Sequence, residues 1–453
     1  MQYLSESKLA AERVLHKIEQ KAGKIPFPID PFKLLKEYYD AIITFSDFDK
    51  LEGLLLLDNN KDAKSIISIN LNRPVTRQRF TAAHELGHIL LHSKIKNREF
   101  LCPISEKKSP IEKEADEFAA NLLMPTDELN RMINKYQDEK GNVDFNQCLL
   151  ISEYFGVSFE ACVKTIRFRL NRFARRLNND ELNDEIKKYR PSIKRNAFLN
   201  KTNDLDLLRN AINYSYFSLF NINDIIGIKF MQNLIYHDNR IENINLTLNE
   251  ISKIYADFRV NGSESKYCTE KNQNIIEVLG NIEMNQYCLT TEDEIDIFKI
   301  KKLNNLLYKY APFPEYAGEF RTNDNLILGG QIQPISVDRI SDEMTELDKI
   351  VNNLISNIED YSVSDYIDIV STIHYRLTVL HPFNDGNGRI SRAFMNWLLR
   401  LKGLPPIYID LDNKTDYLRA LHKIDREKDN AELQIVIIKA IINTMAELHD
   451  SWN

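Results

Sequence analysis

The stretch 381–392 constrains the fold of this chain most, because it joins two apolar segments that have helical spacing. It reads His-Pro-Phe-Asn-Asp-Gly-Asn-Gly-Arg-Ile-Ser-Arg, with the apolar segments 367–380 before it and 393–401 after it. Apolar residues at helical intervals, interrupted by a short polar run with Pro and Gly, predict a helix–loop–helix. We expect the second helix to begin at about 386–388.

The predicted loop has the features of an anion site. The first N–H groups of the second helix have no partner within the helix, and the positive end of the helix dipole lies there. Gly386 and Gly388 allow positive φ angles and let the backbone approach a ligand closely. Arg389 and Arg392 project from one face of the first turns, and guanidinium groups bind phosphate oxygens bidentately. These features together predict a polyphosphate ligand.

Two further side chains of the loop have the chemistry that phosphate transfer requires. Asp385 offers a hard oxygen ligand, which suits Mg²⁺ on the same phosphates. His381 is then left as the proton acceptor. The whole stretch resembles the signature of the Fic family, His-Pro-Phe-x-Asp-Gly-Asn-Gly-Arg-x-x-Arg, and every fixed position is present.

The resemblance implies transfer of AMP from ATP to a protein hydroxyl group. It implies that His381 deprotonates the target, that Asp385 holds Mg²⁺ and that Arg392 binds the γ-phosphate. The residues implied to hold the α- and β-phosphates are Gly386, Asn387, Gly388 and Arg389. A phosphate loop does not identify the nucleobase, so transfer of another nucleotide or phosphate group is the alternative.

A second motif, His84-Glu85-Leu86-Gly87-His88, lies in a predicted helix that begins near Pro74. His84 and His88 are one helical turn apart and can share a metal ion, while Glu85 can activate a water held by that ion. His92 extends the ladder, but about 12 Å of helix separates it from His84, which is too far to share one ion. We therefore expect a structural or supporting role for His92.

The third metal ligand is expected from the helix predicted over 112–125. Its apolar stripe lies closer to Glu112 than to Glu114, so we assign ligation to Glu112 and keep Glu114 in reserve. Asp116 is one turn from Glu112 and can orient a ligating His. The alternative for this acidic run is a solvated helix face.

The two segments "RFTAAHELGHILLH" and "EKEADEFAANLLMP" together resemble the ImmA/IrrE family of zinc metallopeptidases, over roughly residues 8–170. The resemblance implies an α+β, zincin-like domain that binds Zn²⁺ and cleaves a repressor or antitoxin protein. A binding and sensing module without proteolysis is the alternative.

Length and composition limit the remaining possibilities. A chain of 453 residues with 43% hydrophobic residues is expected to fold as two or three domains. Its net charge of −7 argues against direct binding to nucleic acid or acidic lipid. Five scattered Cys, no apolar signal core and no apolar run of about 18 residues predict a cytoplasmic protein without a membrane span.

We predict three segments: a metallopeptidase domain over 1–175, a linker over 176–203 and a Fic domain over 204–453. The expected fold is thus an α+β zincin-like domain followed by an all-α Fic domain. Residues 318–333, with Gly329-Gly330 between strand-like runs, are expected to form a β-hairpin flap that grips the target peptide.

The stretch 238–243 suggests control of the Fic domain. Fic proteins that inhibit themselves carry Ser/Thr-x-x-x-Glu-Gly/Asn on a helix ahead of the core. Glu242 and Asn243 fit this pattern, whereas Asp238 replaces the hydroxyl residue. The resemblance implies that Glu242 pairs with Arg392 and blocks the γ-phosphate. The sequence does not identify the AMP acceptor or the cleaved peptide, and it leaves open whether the chain forms a homodimer.

Overall fold

The computed structural model describes residues 5–46, 48–57, 64–70, 73–93, 99–104, 109–215, 228–312, 317–324 and 333–450. These residues form two compact units. The first comprises the described residues up to Lys201 together with 213–215, and the second comprises 202–212 and the described residues from 228 onwards.

The first unit contains a four-stranded sheet with the strand order β1-β3-β2-β4. The strands are β1 (Ile42–Ser46), β2 (Leu51–Leu56), β3 (Ile66–Asn70) and β4 (Glu99–Pro103). Strand β3 pairs in parallel with β1 and antiparallel with β2, and β4 pairs antiparallel with β2 at the edge. The β-branched runs of β1 and β3 predict these two strands, whereas β2 and β4 are not predicted by the sequence pattern.

Helices surround α3 (Val75–Leu91), which carries the first His motif. The other helices of this unit are α1 (Glu6–Ala22), α2 (Pro31–Lys33) with a π-helical turn Leu34–Tyr38, α4 (Pro110–Leu123), α5 (Thr126–Tyr136), α6 (Phe145–Phe155), α7 (Phe159–Lys164) with a π-helical turn Thr165–Arg169, α8 (Asn179–Tyr189) and α9 (Pro191–Lys201). Pro74 precedes α3 in an extended conformation, as its missing N–H allows.

Small residues let α3 and α4 pack closely. Ala82 and Ala83 of α3 are fully buried, as are Ala115 and Ala119 of α4. Without bulky side chains between the two helix axes, the polar residues beside this seam come within hydrogen-bonding distance of each other. The fold thus brings the His motif of α3 to the acidic first turns of α4.

Residues 176–203 do not form the linker that we expected, because they contain α8 and α9, and 176–201 belong to the first unit. Leu182 and Ile186 of α8 are buried in the hydrophobic core of that unit. Asn178 and Glu181 form a capping box at the start of α8. The Asn and charged residues that suggested a linker are therefore the cap and the exposed face of an amphipathic helix.

The second unit is helical, in agreement with the predicted fold class. Its helices are α10 (Leu205–Ser215), α11 (Ile228–Ile241), α12 (Leu248–Asn261), α13 (Gln273–Thr290), α14 (Ile300–Leu307), α15 (Ile340–Ser356), α16 (Val363–Leu380), α17 (Asn387–Leu401), α18 (Lys414–Glu427) and α19 (Ala431–Asp450). Short 3₁₀ turns occur at Gly262–Glu264, Lys266–Thr269, Ile297–Lys299, Val337–Arg339 and Leu411–Asn413. The helix–loop–helix predicted from the sequence is α16, the loop 381–386 and α17.

The tip of the expected β-hairpin flap, 325–332, lies outside the described residues. The flanking residues 317–324 and 333–336 contain neither helix nor strand. None of the helices in the described part of the chain is both long enough and apolar enough to cross a membrane.

Candidate functional sites

The loop between α16 and α17 is held by its own backbone and by neighbouring side chains, among them Asn387. His381 ends α16 in the left-handed region with φ 45°, and its N–H donates to the carbonyl of Leu377 at 3.1 Å. The buried side chain of Asn387 accepts from the N–H of Phe383 at 2.9 Å and donates to its carbonyl at 2.8 Å. Asn387 therefore fixes the loop with its side chain, and only its backbone N–H is available to a phosphate.

The start of α17 is built to receive an anion. Gly386 precedes the helix at φ 81°, a conformation that favours glycine. Asn387 and the next residues then present the unpaired N–H groups of a helix N-terminus. A Cβ on Gly388 would lie 2.5 Å from Oε1 of Glu242 and 3.1 Å from Nη1 of Arg392. Only a glycine here lets a carboxylate approach the first turn of α17 so closely.

Arg389 lies buried beside this turn. Its Nη1 donates to Oε2 of Glu277 at 2.7 Å, and its Nη2 donates to the hydroxyl of Tyr308 at 3.3 Å. Burial lowers the pKa of Arg389, but Tyr308 and Glu277 outweigh burial and raise it. Arg389 therefore remains a cation whose position is set by α13 and the end of α14.

Arg392 is buried with two carboxylates, Asp238 and Glu242, both from the end of α11. Its Nε donates to Oδ1 of Asp238, and its Nη2 donates to Oε1 of Glu242 at 2.7 Å. Burial raises the pKa of Glu242, yet Arg392 and then Arg389 lower it below its ordinary value. The carboxylate of Glu242 is thus ionised between the two arginines of the loop.

The end of α11 shows why Asn follows Glu242. Asn243 adopts φ 64°, in the left-handed region that Gly and Asn tolerate best. Lys414 donates from Nζ to the carbonyl of Ile241 at 2.8 Å and to Oδ1 of Asn243 at 3.4 Å. This local geometry ends the helix and holds Glu242 against α17.

His381 is the first residue of this loop, and its imidazole is kept neutral. Arg321 is 3% exposed; its Nε donates to the carbonyl of His381 at 2.8 Å and its N–H to that of Pro382 at 2.8 Å. Burial lowers the pKa of His381, the carbonyl of Thr378 opposes this, and the net shift is downward. Asp385, next to the helix start, is exposed and accepts from the N–H of Gly386 at 2.7 Å. A neutral imidazole can accept a proton, and an exposed carboxylate with phosphate oxygens is a donor set that suits Mg²⁺.

In the first unit, three side chains from α3 and α4 converge. Nε2 of His84 lies 3.0 Å from Nε2 of His88 and 3.1 Å from Oε2 of Glu112, and Nε2 of His88 lies 3.3 Å from Oε1 of Glu112. Ligand atoms around a tetrahedral Zn²⁺ at about 2.0–2.1 Å are about 3.3 Å apart. Two imidazole nitrogens and one carboxylate at this spacing therefore fit zinc.

A second layer of side chains orients these ligands. Asp116 accepts from Nδ1 of His84 at 3.0 Å, which directs Nε2 towards Glu112. Nδ1 of His88 lies 2.9 Å from Nδ1 of His92, whose Nε2 lies 3.0 Å from Glu114. Glu114 thus contacts His92 and not the two His of the motif, and His92 supports His88.

The burial of Glu85 is a further feature of this candidate metal site. It is fully buried, and both of its carboxylate oxygens lack a hydrogen-bond partner among the described residues. Burial, opposed by His84 and assisted by Glu112, raises the pKa of Glu85 to about 8. A buried carboxylate beside two imidazoles with no donor of its own fits a site that holds a cation and a water.

Sequence reasoning missed several residues of both sites. Cys102 of β4 is one: its Sγ and ligand atoms of His84 and Glu85 lie within 4.8 Å of one another. Its sequence position gives no signal, because β4 is not predicted and a single Cys matches no metal-ligand spacing. At the site of the second unit, no motif marks Glu277 and Tyr308, which accept from Arg389, Arg321, which donates to the carbonyl of His381, or Asn281, which donates to Asp238.

Comparison with known families agrees with this division into two sites. Residues 37–167 match the family model described as the IrrE N-terminal-like domain, and residues 294–399 match that of the Fic/DOC family. The first match contains the His motif and Glu112, and the second contains the loop and most of α17.

Several curated relatives of this chain bear the name protein adenylyltransferase. Protein adenylyltransferase fic-1 of Caenorhabditis elegans is 32% identical over 130 residues, covering 29% of this chain and 24% of that protein. Protein adenylyltransferase Fic of Nematostella vectensis is 30% identical over 197 residues, covering 42% of each. That of Drosophila erecta is 32% identical over 198 residues, covering 43% and 37%. The chain thus spans less than half the length of these relatives.

Two solved structures show a looser likeness. Residues 134–508 of Fic-1 from C. elegans superpose with a TM-score of 0.45 at 16% identity, covering 73% of this chain and 98% of that one. A Fic-domain-containing signalling protein from Bacteroides thetaiotaomicron gives 0.43 at 21% identity, covering 53% and 96%. By the family models, residues 37–167 of this chain are similar to the IrrE N-terminal-like domain, and residues 294–399 are similar to the Fic/DOC family.

Proposed function

We propose that the second unit transfers AMP from ATP to a hydroxyl group of a protein. The observation that carries this proposal is the convergence of neutral His381 with the cations Arg389 and Arg392 at the N-terminus of α17. Curated relatives of this part of the chain bear the name protein adenylyltransferase, which supports the same activity.

Each group of the loop has a part in the reaction. The N–H groups of the first turn of α17 and Arg389 bind the α- and β-phosphates, and Arg392 binds the γ-phosphate. Asp385 would hold Mg²⁺, which would neutralise charge on the phosphates. His381 accepts the proton of the attacking hydroxyl as its oxygen bonds to the α-phosphorus, and the bond from that phosphorus to the β-phosphate oxygen breaks to release pyrophosphate.

Glu242 inhibits this reaction in the free protein. Its carboxylate accepts a hydrogen bond from Nη2 of Arg392 and lies beside Gly388. A phosphate at this position would bind the same cation. A γ-phosphate and the Glu242 carboxylate are both anions, so only one of them can occupy this position. ATP then binds productively only when Glu242 moves away.

Labelled ATP tests the transfer. Purified protein with Glu242→Gly, incubated with ATP labelled in the α-phosphate and a lysate of the source cell, should label protein, and adding His381→Ala should remove the label. Competition with unlabelled GTP, CTP and UTP distinguishes AMP transfer from transfer of another nucleotide. Label from γ-labelled ATP instead would show phosphate transfer and contradict the proposal.

We further propose that the first unit is a zinc peptidase that cleaves a regulatory protein. The supporting observation is the fit of His84, His88 and Glu112 to zinc, with Glu85 buried beside them. Zinc bound there would supply a Lewis acid for the peptide carbonyl. Glu85 would take a proton from the attacking water and return it to the leaving amine, while Asp116 and His92 hold the ligating imidazoles in place.

A repressor or antitoxin is the expected class of peptidase substrate, and a binding module without proteolysis is the rival. Candidate regulators encoded beside this chain, incubated with zinc-loaded protein, separate the two. Cleavage that requires Glu85 supports the peptidase. Binding of the regulator without cleavage supports the rival.

A further inference from the structure

Asp238 and Glu242 bind the same guanidinium through different nitrogens. They lie one turn apart at the end of α11, so both side chains face Arg392. Asp238 accepts from Nε, whereas Glu242 accepts from Nη2. The side of the guanidinium that bonds Asp238 is therefore separate from the end that bonds Glu242.

The surroundings of the two carboxylates differ. Asp238 is 6% exposed, and its second oxygen accepts from Nδ2 of Asn281 at 2.8 Å. Asn281 is itself fully buried on α13 and its side-chain oxygen accepts from Asn285 at 2.6 Å. The Glu242 side chain, by contrast, is 33% exposed. Asp238 is thus anchored to a buried polar network, and Glu242 is not.

A second contrast concerns the anion position at α17. The carboxylate of Glu242 is the group that approaches Gly388. Asp238 instead lies with Arg392 on the inner side, towards Asn285 and Met395. An incoming phosphate must therefore displace Glu242 from Nη2, but it leaves the bond between Asp238 and Nε intact.

We propose that Asp238 is a positioning residue that holds Arg392 for the γ-phosphate after Glu242 has left. This inference rests on the proposed AMP transfer, in which Arg392 binds that phosphate. Asp238 fixes Nε and so directs the two terminal nitrogens towards the anion position. It also supplies a counter-charge to the buried Arg392 when Glu242 is absent. The acidic residue at this position thus serves the active state, and Glu242 alone serves the inhibited state.

The carboxylate of Asp238 also repels phosphate, because both are anions. Positioning of Arg392 raises the affinity for ATP and repulsion lowers it, so the measured affinity decides which effect is larger. In the Glu242→Gly background, Asp238→Ala should raise the Kd and the KM for Mg-ATP roughly tenfold, the value of one charge-assisted hydrogen bond, and leave kcat within about twofold. Asp238→Asn keeps an oxygen that accepts from Nε but loses the counter-charge, and it should restore part of the affinity.

Two further variants make this test specific. Asn281→Ala loosens Asp238 without touching Arg392 and should raise the Kd by a smaller factor. Glu343→Gln removes a carboxylate that pairs with Arg376 at 3.1 Å on another face of the unit, and it should leave the Kd unchanged. Thermal melting of each variant identifies any that fails to fold. If Asp238→Ala does not fold, Asp238→Asn is compared with the Glu242→Gly reference instead.

Equal or tighter ATP binding by Asp238→Ala would overturn the inference, and so would an Asp238→Asn variant as weak as Asp238→Ala. Titration calorimetry with Mg-ATP measures this without any transfer. If the Glu242→Gly reference transfers no AMP, the proposed function fails while the effect of Asp238 on binding is still measured. If the reference transfers AMP and Asp238→Ala binds ATP normally, only the positioning role fails.

Discussion

Oε1 of Glu242 lies 2.7 Å from Nη2 of Arg392, at the first turn of α17. The carboxylate of Glu242 forms an ion pair with Arg392, and it also fills the space beside Gly388. Under the proposed AMP transfer, a carboxylate there takes the place of one phosphate of ATP. Glu242 then competes with the nucleotide, and the strength of its contact with Arg392 sets how much activity the free protein has.

Replacing Glu242 with Gly is expected to raise transfer about tenfold to a hundredfold. A charge-assisted hydrogen bond is worth roughly 1.5–3 kcal/mol, and about 1.4 kcal/mol corresponds to a factor of ten in binding. ATP-dependent labelling of the protein itself and of lysate proteins measures the change. Glu427→Gly is a matched control, since Glu427 is also the last Glu of a helix but its side chain is 54% exposed and remote from the loop.

The same experiment needs Arg392→Ala in both backgrounds. This change should abolish transfer with or without Glu242, because the arginine itself serves the γ-phosphate. Equal activity of the wild type and Glu242→Gly would mean that Glu242 does not inhibit, and control would have to come from elsewhere in the protein or from a partner.

The arrangement of the loop could be predicted from sequence because it depends on local pattern. Helical periodicity on both sides of 381–386 and the position of Gly386 are sufficient to place α16 and α17. The partners of the loop could not be predicted in this way. Glu277 lies 112 residues before its partner Arg389. Arg321 lies 60 residues before His381, in an irregular segment. No periodicity encodes such contacts.

Strand β2 shows a different reason for a missed element. Its sequence, Leu-Glu-Gly-Leu-Leu-Leu, lacks β-branched residues and contains a charge, so neither composition nor alternation favours a strand. Tertiary contacts override this preference. Glu52 is 2% exposed and accepts from Nε of Arg73 at 2.8 Å and lies 3.3 Å from Arg77, which offset the cost of burying its charge. A buried ion pair between distant segments leaves no local sequence pattern.

His381→Ala is expected to reduce transfer by about 10²–10⁴-fold, the usual cost of losing a general base. The binding of ATP should change little, because the phosphates are held by α17 and its arginines. Transfer is measured by labelling in the Glu242→Gly background, and nucleotide affinity is measured separately by calorimetry. Unchanged labelling by the double variant would show that His381 is not the base.

The pH dependence of transfer should follow the same His381. Burial lowers its pKa below the ordinary value of 6.5, while the negative charge of Glu242 raises it. Removing Glu242 therefore lowers the pKa further. Transfer by Glu242→Gly should stay above half of its maximal rate from about pH 8 down to pH 6.5 and reach half only below that, since the imidazole must be neutral to accept a proton. A half-maximal rate at or above pH 6.5, with ATP binding unchanged over the same range, would contradict this assignment.

The first unit is expected to bind about one Zn²⁺ per chain, as a site with three protein ligands does. The variant His84→Ala/His88→Ala should contain none, because it loses two of the three ligands. His16→Ala is the matched control, since the side chain of His16 is 67% exposed on α1 and lies apart from the centre. Metal analysis of the purified proteins measures occupancy, and full occupancy in the double variant would rule out this site.

Glu85→Gln should keep the zinc and stop cleavage of the regulator. The amide is nearly isosteric with the carboxylate, so His84, His88 and Glu112 keep their positions, but it cannot accept the proton of the attacking water. Because Glu85 is fully buried with no hydrogen-bond donor among the described residues, the substitution breaks no hydrogen bond there, and the folded protein should melt at or above the wild-type temperature.

Glu117→Gln, which changes an exposed carboxylate of α4, is the control and should cleave normally. Metal content, melting temperature and cleavage are measured on the same preparations. A Glu85→Gln protein that holds zinc and still cleaves would exclude Glu85 as the base, whereas loss of both zinc and cleavage would show that Glu85 helps to bind the metal ion.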